Sequence, residues 1–500
     1  MRRGYAAAAS SRFNVGFPGV YGTGDAELRN SLRALRGRSR QLAQDSDLVK
    51  HWLGLLRKNV IGANGIALKM RARDPATGEL DRDANRRIED RWRAFLSRRL
   101  FTVRGTVDGI EAQWLVLEAV ARDGEIFARH VRRFPNAHGY AIQLLESDMV
   151  DELLERPLRG GRFVRMGIEF DSWERPLFYY FRRRHPGELS WSYAAPLGSS
   201  ANDYEAVPAA DVVHPFVAER PTQTRGVPWT HTTAGRVDML DGYEEAELVA
   251  SRAASAKMGF YKTPSGEEYD GDDVDDDGSP IKEADPGVFE ELPKEWEFQP
   301  YDPQHPTSQV GAFIRAITRR VSAGLNLSYH NVANDTEGLT YSSGRIAELG
   351  DRDFYRMLQG FVARSFLQPV FEEWLALQIM GGGLPLPLRK LDAYIAGARW
   401  QGRGWAWVDP AKEGQGHKLA YELRVNSLTS IALEGGRTLD EVFDEIAEER
   451  EAMRERGIPW PEEASAKSAA APAPAPPADV DDDDDDPNAT KGGGDGEAES

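Results

Sequence analysis

The chain has 500 residues, 41% hydrophobic and 28% charged, with no cysteine and a formal net charge of −18. This is the composition of a globular chain of about three domains, and it excludes disulfides and thiolate zinc or iron–sulfur sites outright. No run approaches the ~18 apolar residues of a membrane span, since the longest uncharged central stretch, Trp374–Leu388, holds three glycines and two prolines.

The charge is localised. Residues 461–500 carry 12 acids and 2 bases, and residues 265–295 carry 13 acids and 2 bases, which leaves the body near neutral. The first 40 residues lean the other way, with eight arginines against Asp25 and Glu27. Such an arm suits contact with nucleic acid or an acidic partner, or equally a solvated amphipathic helix. The opening MRRGYAAAASSRF has too short an apolar core for a secretory signal.

In chain order, helices are predicted over Ala26–Ala43 and Ser46–Lys58. Val60–Ile66 then reads as strand–turn–strand, because Asn64-Gly65 favours a tight primed turn. Further helices are predicted over Asn85–Leu100 and Gly109–Arg122. The runs Glu125–Arg133, Tyr140–Leu145, Arg162–Phe170 and Pro176–Phe181 make residues 125–215 strand-rich. Helical pattern resumes after Trp229 through Met258. Acidic, Pro-broken segments fill 259–305, and another helix covers Ser308–Gly324. This order suggests two long helices forming a hairpin with an excursion at its tip.

The polar segment SYHNVANDTEGL, Ser328–Leu339, leads into a long predicted helix, Gly344–Gln368. Its 25 residues would span about 37 Å. Ile346, Leu349, Phe354, Met357, Leu358, Phe361 and Val362 are spaced for one buried stripe. Ser342-Ser343-Gly344 is expected to cap the start, and Pro369 to kink or end the helix. Asp409-Pro410 and the capping box Thr438-Leu439-Asp440-Glu441 start later helices, the second stopping at Gly457 and Pro459. Residues 461–500 are low-complexity and charged, the composition of a disordered tail.

Catalytic signatures are weak. The chain lacks G-x-x-x-x-G-K-[ST] and any Gly-Lys pair, so it has no Walker-type phosphate cradle. Its nine histidines form no HExxH pair. Ser342 and Ser343 have no nucleophile elbow around them. In the cluster at 270–277, Asp273, Asp275 and Asp277 with Gly278 mimic a calcium loop, but position twelve is Ala284 instead of glutamate. Gly62-Ala63-Asn64-Gly65 matches a bare GxxG, better explained as a turn. Trp400, Trp405 and Trp407 suit a buried junction better than a base-stacking platform. Asp481–Asp486 reads as a solubilising run.

Several segments together carry a resemblance. Tyr341-Ser342-Ser343-Gly344-Arg345, then Gln368-Pro369-Val370-Phe371 and Trp374, resembles the lambda-type phage portal proteins. So do Leu56-Arg57-Lys58-Asn59-Val60-Ile61-Gly62, His214-Pro215-Phe216, Gln223-Thr224-Arg225-Gly226-Val227-Pro228-Trp229, Asp409-Pro410-Ala411-Lys412-Glu413 and the Ser427–Gly457 region, in the family's order. The acidic tail departs from the family pattern.

The resemblance implies an α+β, helix-rich portal fold with wing, stem, clip and crown, assembled as a dodecameric ring at one capsid vertex of the virion. Such a ring assembles in the host cytoplasm. It conducts double-stranded DNA non-specifically and docks the terminase large subunit, then head-completion or adaptor proteins, beside the major capsid protein. No cofactor, metal, membrane or catalytic residue is implied. On this layout 1–45 is a basic arm and first helix, 46–225 the wing, and 226–324 the stem with the clip at 259–305. Residues 325–400 hold the tunnel loop, long helix and wing return, 401–460 are crown-like, and 461–500 are the tail.

Asn331, Asn334, Asp335, Thr336 and Glu337 become candidate DNA-facing residues, offering weak polar contact and repulsion instead of tight phosphate binding. Asp272, Asp273, Asp275, Asp276 and Asp277 become the candidate docking patch on the clip, where electrostatics would steer a partner. The rival reading is a metal-dependent nucleic-acid-processing enzyme, with acidic clusters holding magnesium.

Overall fold

The structure is a computed structural model that describes residues 21–187, 203–255, 259–262, 297–300, 310–405, 410–434 and 439–460. The chain divides into two compact units, residues 1–405 and 406–500. The basic arm before residue 21, the Asp272–Asp277 cluster, Trp407, Asp409, Thr438 and the acidic tail lie outside the described residues.

The first unit opens with α1 (Gly24–Arg29), α2 (Leu32–Asp45) and α3 (Asp47–Leu56). The chain continues past α3 as a widened π turn, Arg57–Ile61. The expected hairpin at Asn64-Gly65 is therefore absent. Strand β1 (Ala67–Met70) pairs antiparallel with a strand far downstream, Ala398–Gln401. Sequence-local turn propensity lost to a long-range partner that buries Leu68 and Met70.

Two helices follow, α4 (Arg82–Phe95) and α5 (Gly109–Asp123). Helix α4 buries Ala84, Ile88, Trp92 and Phe95, spaced for one face. Helix α5 starts at a capping box. The Asp108 carboxylate accepts from the Ile110 and Glu111 N–H groups at 2.9 and 2.7 Å, and Glu111 accepts from the Asp108 N–H at 3.0 Å. It is a central element, burying Ala112, Val116, Leu117, Val120 and Ala121.

The strand-rich stretch is two antiparallel sheets. The first has order β3-β2-β9, with β2 (Phe127–Arg132), β3 (Tyr140–Leu145) and β9 (Val212–Val213). The second runs β4-β5-β6-β7-β8: Arg156–Pro157, Phe163–Arg165, Ile168–Phe170, Pro176–Arg182 and Tyr204–Pro208. The single run read at Arg162–Phe170 is a hairpin, with Met166 and Gly167 turning at positive φ. Phe127, Val150, Ile168, Tyr179, Phe181 and Val207 form a small core of their own.

A 3₁₀ turn, Trp229–Thr232, leads to α6 (Ala234–Ser255). Strands β10 (Gly259–Lys262) and β11 (Glu297–Pro300) pair antiparallel, and α7 (Val310–Gly324) returns beside α6. Tyr243 and Phe313 meet edge to face at 5.2 Å, fixing the two helices together.

After α7 come α8 (Tyr329–Ala333), α9 (Tyr341–Val362), a π turn at Ala363–Leu367 and α10 (Gln368–Met380). The regular α-helix does end ahead of Pro369, at Val362, but the chain passes through the π turn straight into α10. The widened turn takes the carbonyls ahead of it out of α register, and the proline sits in the first turn of α10, where no N–H is needed. The single apolar stripe is corrected as well: Leu358 and Val362 are buried and Phe354 and Phe361 half-buried, but Ile346, Leu349 and Met357 are exposed. Helix α11 (Leu391–Ala396) and β12 (Ala398–Gln401) close the unit.

The main core is aromatic where α4, α10 and β12 meet. Trp92 lies 5.0 Å from Trp374 edge to face, Phe95 stacks on Trp374 at 5.8 Å, and Phe371 meets Trp400 at 5.9 Å. Trp405 stacks on Tyr355 at 6.1 Å. Trp400 and Trp405 are thus half-buried against α4, α9 and α10, and the Asp409 end of the expected junction lies outside the described residues.

The second unit contains α12 (Pro410–Glu422), α13 (Leu428–Glu434) and α14 (Leu439–Glu455). Gly457, at φ 68°, lets the chain leave α14 while the Ile458 N–H returns to the Met453 carbonyl at 2.9 Å. No helix among the described residues is long and apolar enough to cross a membrane.

Candidate functional site

The Ser328–Leu339 segment is built onto α9 by one buried acid. Asp351 accepts from the Ser328 N–H (2.8 Å), the Ser328 hydroxyl (2.7 Å) and the Asn331 side-chain amide (2.6 Å). His51 of α3 bonds the Asn331 carbonyl at 3.0 Å, and Val332 is buried beneath. Helix α8 ends where Asn334 adopts the left-handed conformation, φ 50° and ψ 36°, tolerated by asparagine.

Asp335 then organises the turn. It accepts from the Tyr329 hydroxyl at 2.6 Å and the Glu337 N–H at 2.8 Å, while the His330 ring donates to its carbonyl at 2.9 Å. Those two bonds to the carboxylate, with Arg315 of α7 behind them, hold it below its ordinary range. Arg315 also donates to Glu337 at 2.7 Å and lies 4.0 Å from Asp335. Arg319 stacks over Tyr329 at 5.2 Å.

The five candidate residues are therefore brought together, but not as a loose polar loop of free acids. Asn334, Thr336 and Glu337 are exposed, Asn331 and Asp335 half-buried, and both carboxylates face Arg315. Helix α9 starts one residue before the expected cap: the Thr340 hydroxyl accepts from the Ser343 N–H at 3.2 Å, and Ser343 reciprocates toward the Thr340 N–H at 3.1 Å. The cap is thus the Thr340–Ser343 pair and not the Ser342-Ser343-Gly344 entry expected from the sequence.

A second charged centre lies in the first unit and was missed from the sequence. Glu125, between α5 and β2, is fully buried. Its carboxylate meets Arg225 Nε at 2.7 Å, His214 Nε2 at 2.9 Å and the Gly226 N–H at 2.8 Å, and pairs with Arg36. Arg225 continues to the carbonyls of Met166 (2.8 Å), Ser147 (3.0 Å) and Val150 (3.1 Å). Burial alone would raise the Glu125 carboxyl, but the Arg225 and Arg36 guanidiniums outweigh it and hold it well below the carboxylate range. Burial pushes the stacked His214 ring down, against the opposing pull of Glu125.

The approach is tight enough to require glycine twice. A side chain at Gly226 would begin 2.0 Å from the Gly124 carbonyl, and Gly124 itself sits at φ 91°. The signal was present in Gln223-Thr224-Arg225-Gly226-Val227-Pro228-Trp229 and His214-Pro215-Phe216, yet only folding shows that both address one carboxylate.

For the rival enzyme reading, the candidate metal group among the described residues is Glu146, Asp148 and His185, with ligand atoms within 4.8 Å of one another. Arg40 already occupies Asp148, and Glu146 is exposed. A cation in place and an open carboxylate do not make a closed ligand set.

Comparison with known proteins decides the family. The family described as phage portal protein, lambda family, matches residues 11–359, more than half of the chain. The chain belongs to the lambda family of phage portal proteins. A relative described as a probable portal protein, from Halomonas phage phiHAP-1, is 34% identical over 469 residues, covering 92% of this chain and 89% of that protein. Two solved structures also align, both titled as the neck of a GTA particle. The empty particle with C6 symmetry gives a TM-score of 0.41 at 12% identity over 84% of this portal protein and 95% of that chain. The native particle with C12 symmetry gives 0.36 at 12% identity over the same shares.

Proposed function

We propose that this portal protein assembles as a ring of about twelve copies at one capsid vertex, conducting DNA inward during packaging and outward at ejection. The observation that carries the layout is the excursion α6–β10–β11–α7. Two helices packed side by side flank in sequence a pair of antiparallel strands. They would form the stem, and residues 259–305, mostly outside the described set, the clip on which the terminase large subunit docks before adaptor proteins replace it.

Residues 46–225 would be the wing, completed by β12, which returns to pair with β1. The second unit's α12–α14 would be crown-like. Ser328–Leu339 would face the lumen, braced by α9. Because Arg315 offsets one of the two charges of Asp335 and Glu337, the segment presents amides and hydroxyls with a reduced acidic charge. That surface would let DNA slide, whereas unpaired Lys and Arg would grip phosphates in a salt-dependent way.

Mass measurement and negative-stain imaging of the purified protein test the assembly. A ring with a central hole and about twelve subunits is expected; a monomer or compact dimer at all concentrations would refute it.

A further inference from the structure

One cavity is used by none of the groups above. It has a volume of about 670 Å³ and opens between the end of the first π turn, the Gly62–Gly65 loop and the Gln401–Gly404 segment, with Trp114 of α5 at its wall. No acidic residue lines it, and Arg57, Lys58 and Arg403 do. Arg57 is neutralised by Glu118. Arg403 meets no carboxylate among the described residues: it donates to the Lys58 carbonyl at 2.8 Å and the Asn59 amide oxygen at 3.0 Å, which orient its charge. Lys58 is exposed and has no ion pair among the described residues.

The backbone adds donors. Gly62 and Gly65 have φ of 69° and 70°, and the N–H groups of Ala63, Asn64 and Gly65 between and beside them make no hydrogen bond among the described residues. Free N–H groups in a glycine-bearing concavity beside fixed cations are the chemistry of an anion site.

The positive surface also continues beyond the cavity. Ala67 and Gln401, which line it, are partners in the β1–β12 register, and the next pair on the same exposed face is Lys69 opposite Arg399. That pair lies two residues, about 7 Å, further along the ribbon. Lys69 likewise has no ion pair among the described residues. A single phosphate would fill the cavity and leave this extension unused; a chain of phosphates would use both.

We propose that this cavity and the exposed β1–β12 face form a track that binds the phosphodiester backbone of duplex DNA. The identity of the polymer rests on the portal reading, since duplex DNA is what a portal meets; the site itself rests on the residues named here. It is the opposite kind of surface from Ser328–Leu339. There Arg315 offsets part of the acidic charge, whereas here Lys58 and Lys69 carry charges with no ion pair among the described residues.

The test is anisotropy of a short fluorescent duplex with the full-length protein between about 50 and 200 mM salt. Lys58→Ala with Lys69→Ala should weaken binding about tenfold at the lower salt and reduce the slope of log affinity against log salt by about two. Both lysines are exposed and make no bonds that folding needs, and an unchanged melting temperature will verify this. Arg86→Ala with Arg93→Ala removes the same charge from the exposed face of α4, where Asp90 partners both, and should leave affinity and slope as in the parent.

Equal losses in the two double variants would overturn the track, as would an unchanged slope. A mononucleotide binding as tightly as the duplex would reduce it to a one-phosphate pocket. A hexa-aspartate peptide binding as tightly would make it an acidic-peptide dock, and either result overturns the proposal. The ring measurement does not involve these lysines, so failure here leaves the portal reading standing.

Discussion

Two charged centres in this chain use the same side-chain chemistry in different dielectric settings. Around Glu125 a carboxylate, two guanidiniums and an imidazole are sealed from water, with Arg36 and Arg225 essentially inaccessible. Around Asp335 a carboxylate pair shares one arginine at the surface, with Arg315 40% and Glu337 72% exposed. Desolvation makes the first centre a lock. Its members hold α2, the residues following α5, the β5–β6 hairpin and the Gln223–Trp229 segment in one arrangement, just where the chain turns into α6. The second is solvated, so its ion pairs set a conformation and a local charge without contributing much stability.

The largest effect should therefore come from breaking the lock. Glu125→Ala leaves two buried guanidiniums uncompensated and should cost about 3–5 kcal/mol, read as a large fall in melting temperature or insoluble expression. Glu125→Gln keeps the shape and some hydrogen bonds but loses the charge, and should fall between the two. If Glu125→Ala melts within a degree of the parent, the cluster is not holding the fold.

Acid should open the same centre in two stages. The folded His214 ring lies below its ordinary 6.5. Its unfolded form thus binds a proton first, and the stability it lends is present above that pH and lost as pH falls toward the folded value. Buried His130 and His138 are shifted the same way. Glu125, depressed below 4.5, adds a second loss that begins near that value and deepens below it. A stability profile that stays flat from pH 7 to pH 4 would contradict this assignment.

A middle-sized effect belongs to Asp351, buried but linked to the surface segment. Asp351→Ala removes three acceptor contacts from Ser328 and Asn331 and should cost about 2 kcal/mol. The loss should concentrate in faster amide exchange over α8, while the Glu125 centre stays protected.

What the sequence revealed about these two centres differed for a physical reason. Local signals were read well: Tyr140–Leu145 by its β-rich composition, the Gly109–Arg122 helix to within one residue of its observed end at Asp123, and α7 to within two residues. Asn331 to Glu337 could be grouped because they are neighbours in sequence. The Glu125 lock could not, because its partners come from α2, from His214 and from Arg225, and nothing in any one segment names the carboxylate they share. The short strands β8 and β9 were missed because each exists only by pairing with a distant partner. Asn64-Gly65 misled for the same reason, and the π turn ahead of Pro369 could not be read because it is not visible in residue spacing.

The smallest effect on stability should be the most informative about DNA. Arg315→Ala breaks exposed pairs and should change the melting temperature little, since such pairs are worth about 0–1 kcal/mol. Yet it leaves Asp335 and Glu337 without their shared cation, so every copy in a ring would present a more strongly acidic segment. Asp335→Asn with Glu337→Gln does the reverse and leaves Arg315 unpaired, a cation that can hold phosphates. If Ser328–Leu339 faces the DNA, the first variant should release packaged DNA more readily and the second should slow packaging, the second effect fading as salt rises. If both variants package and retain DNA at the parental rate in a reconstituted motor, the segment does not touch the duplex, and its Arg315 pairing serves only to position α8 against α9.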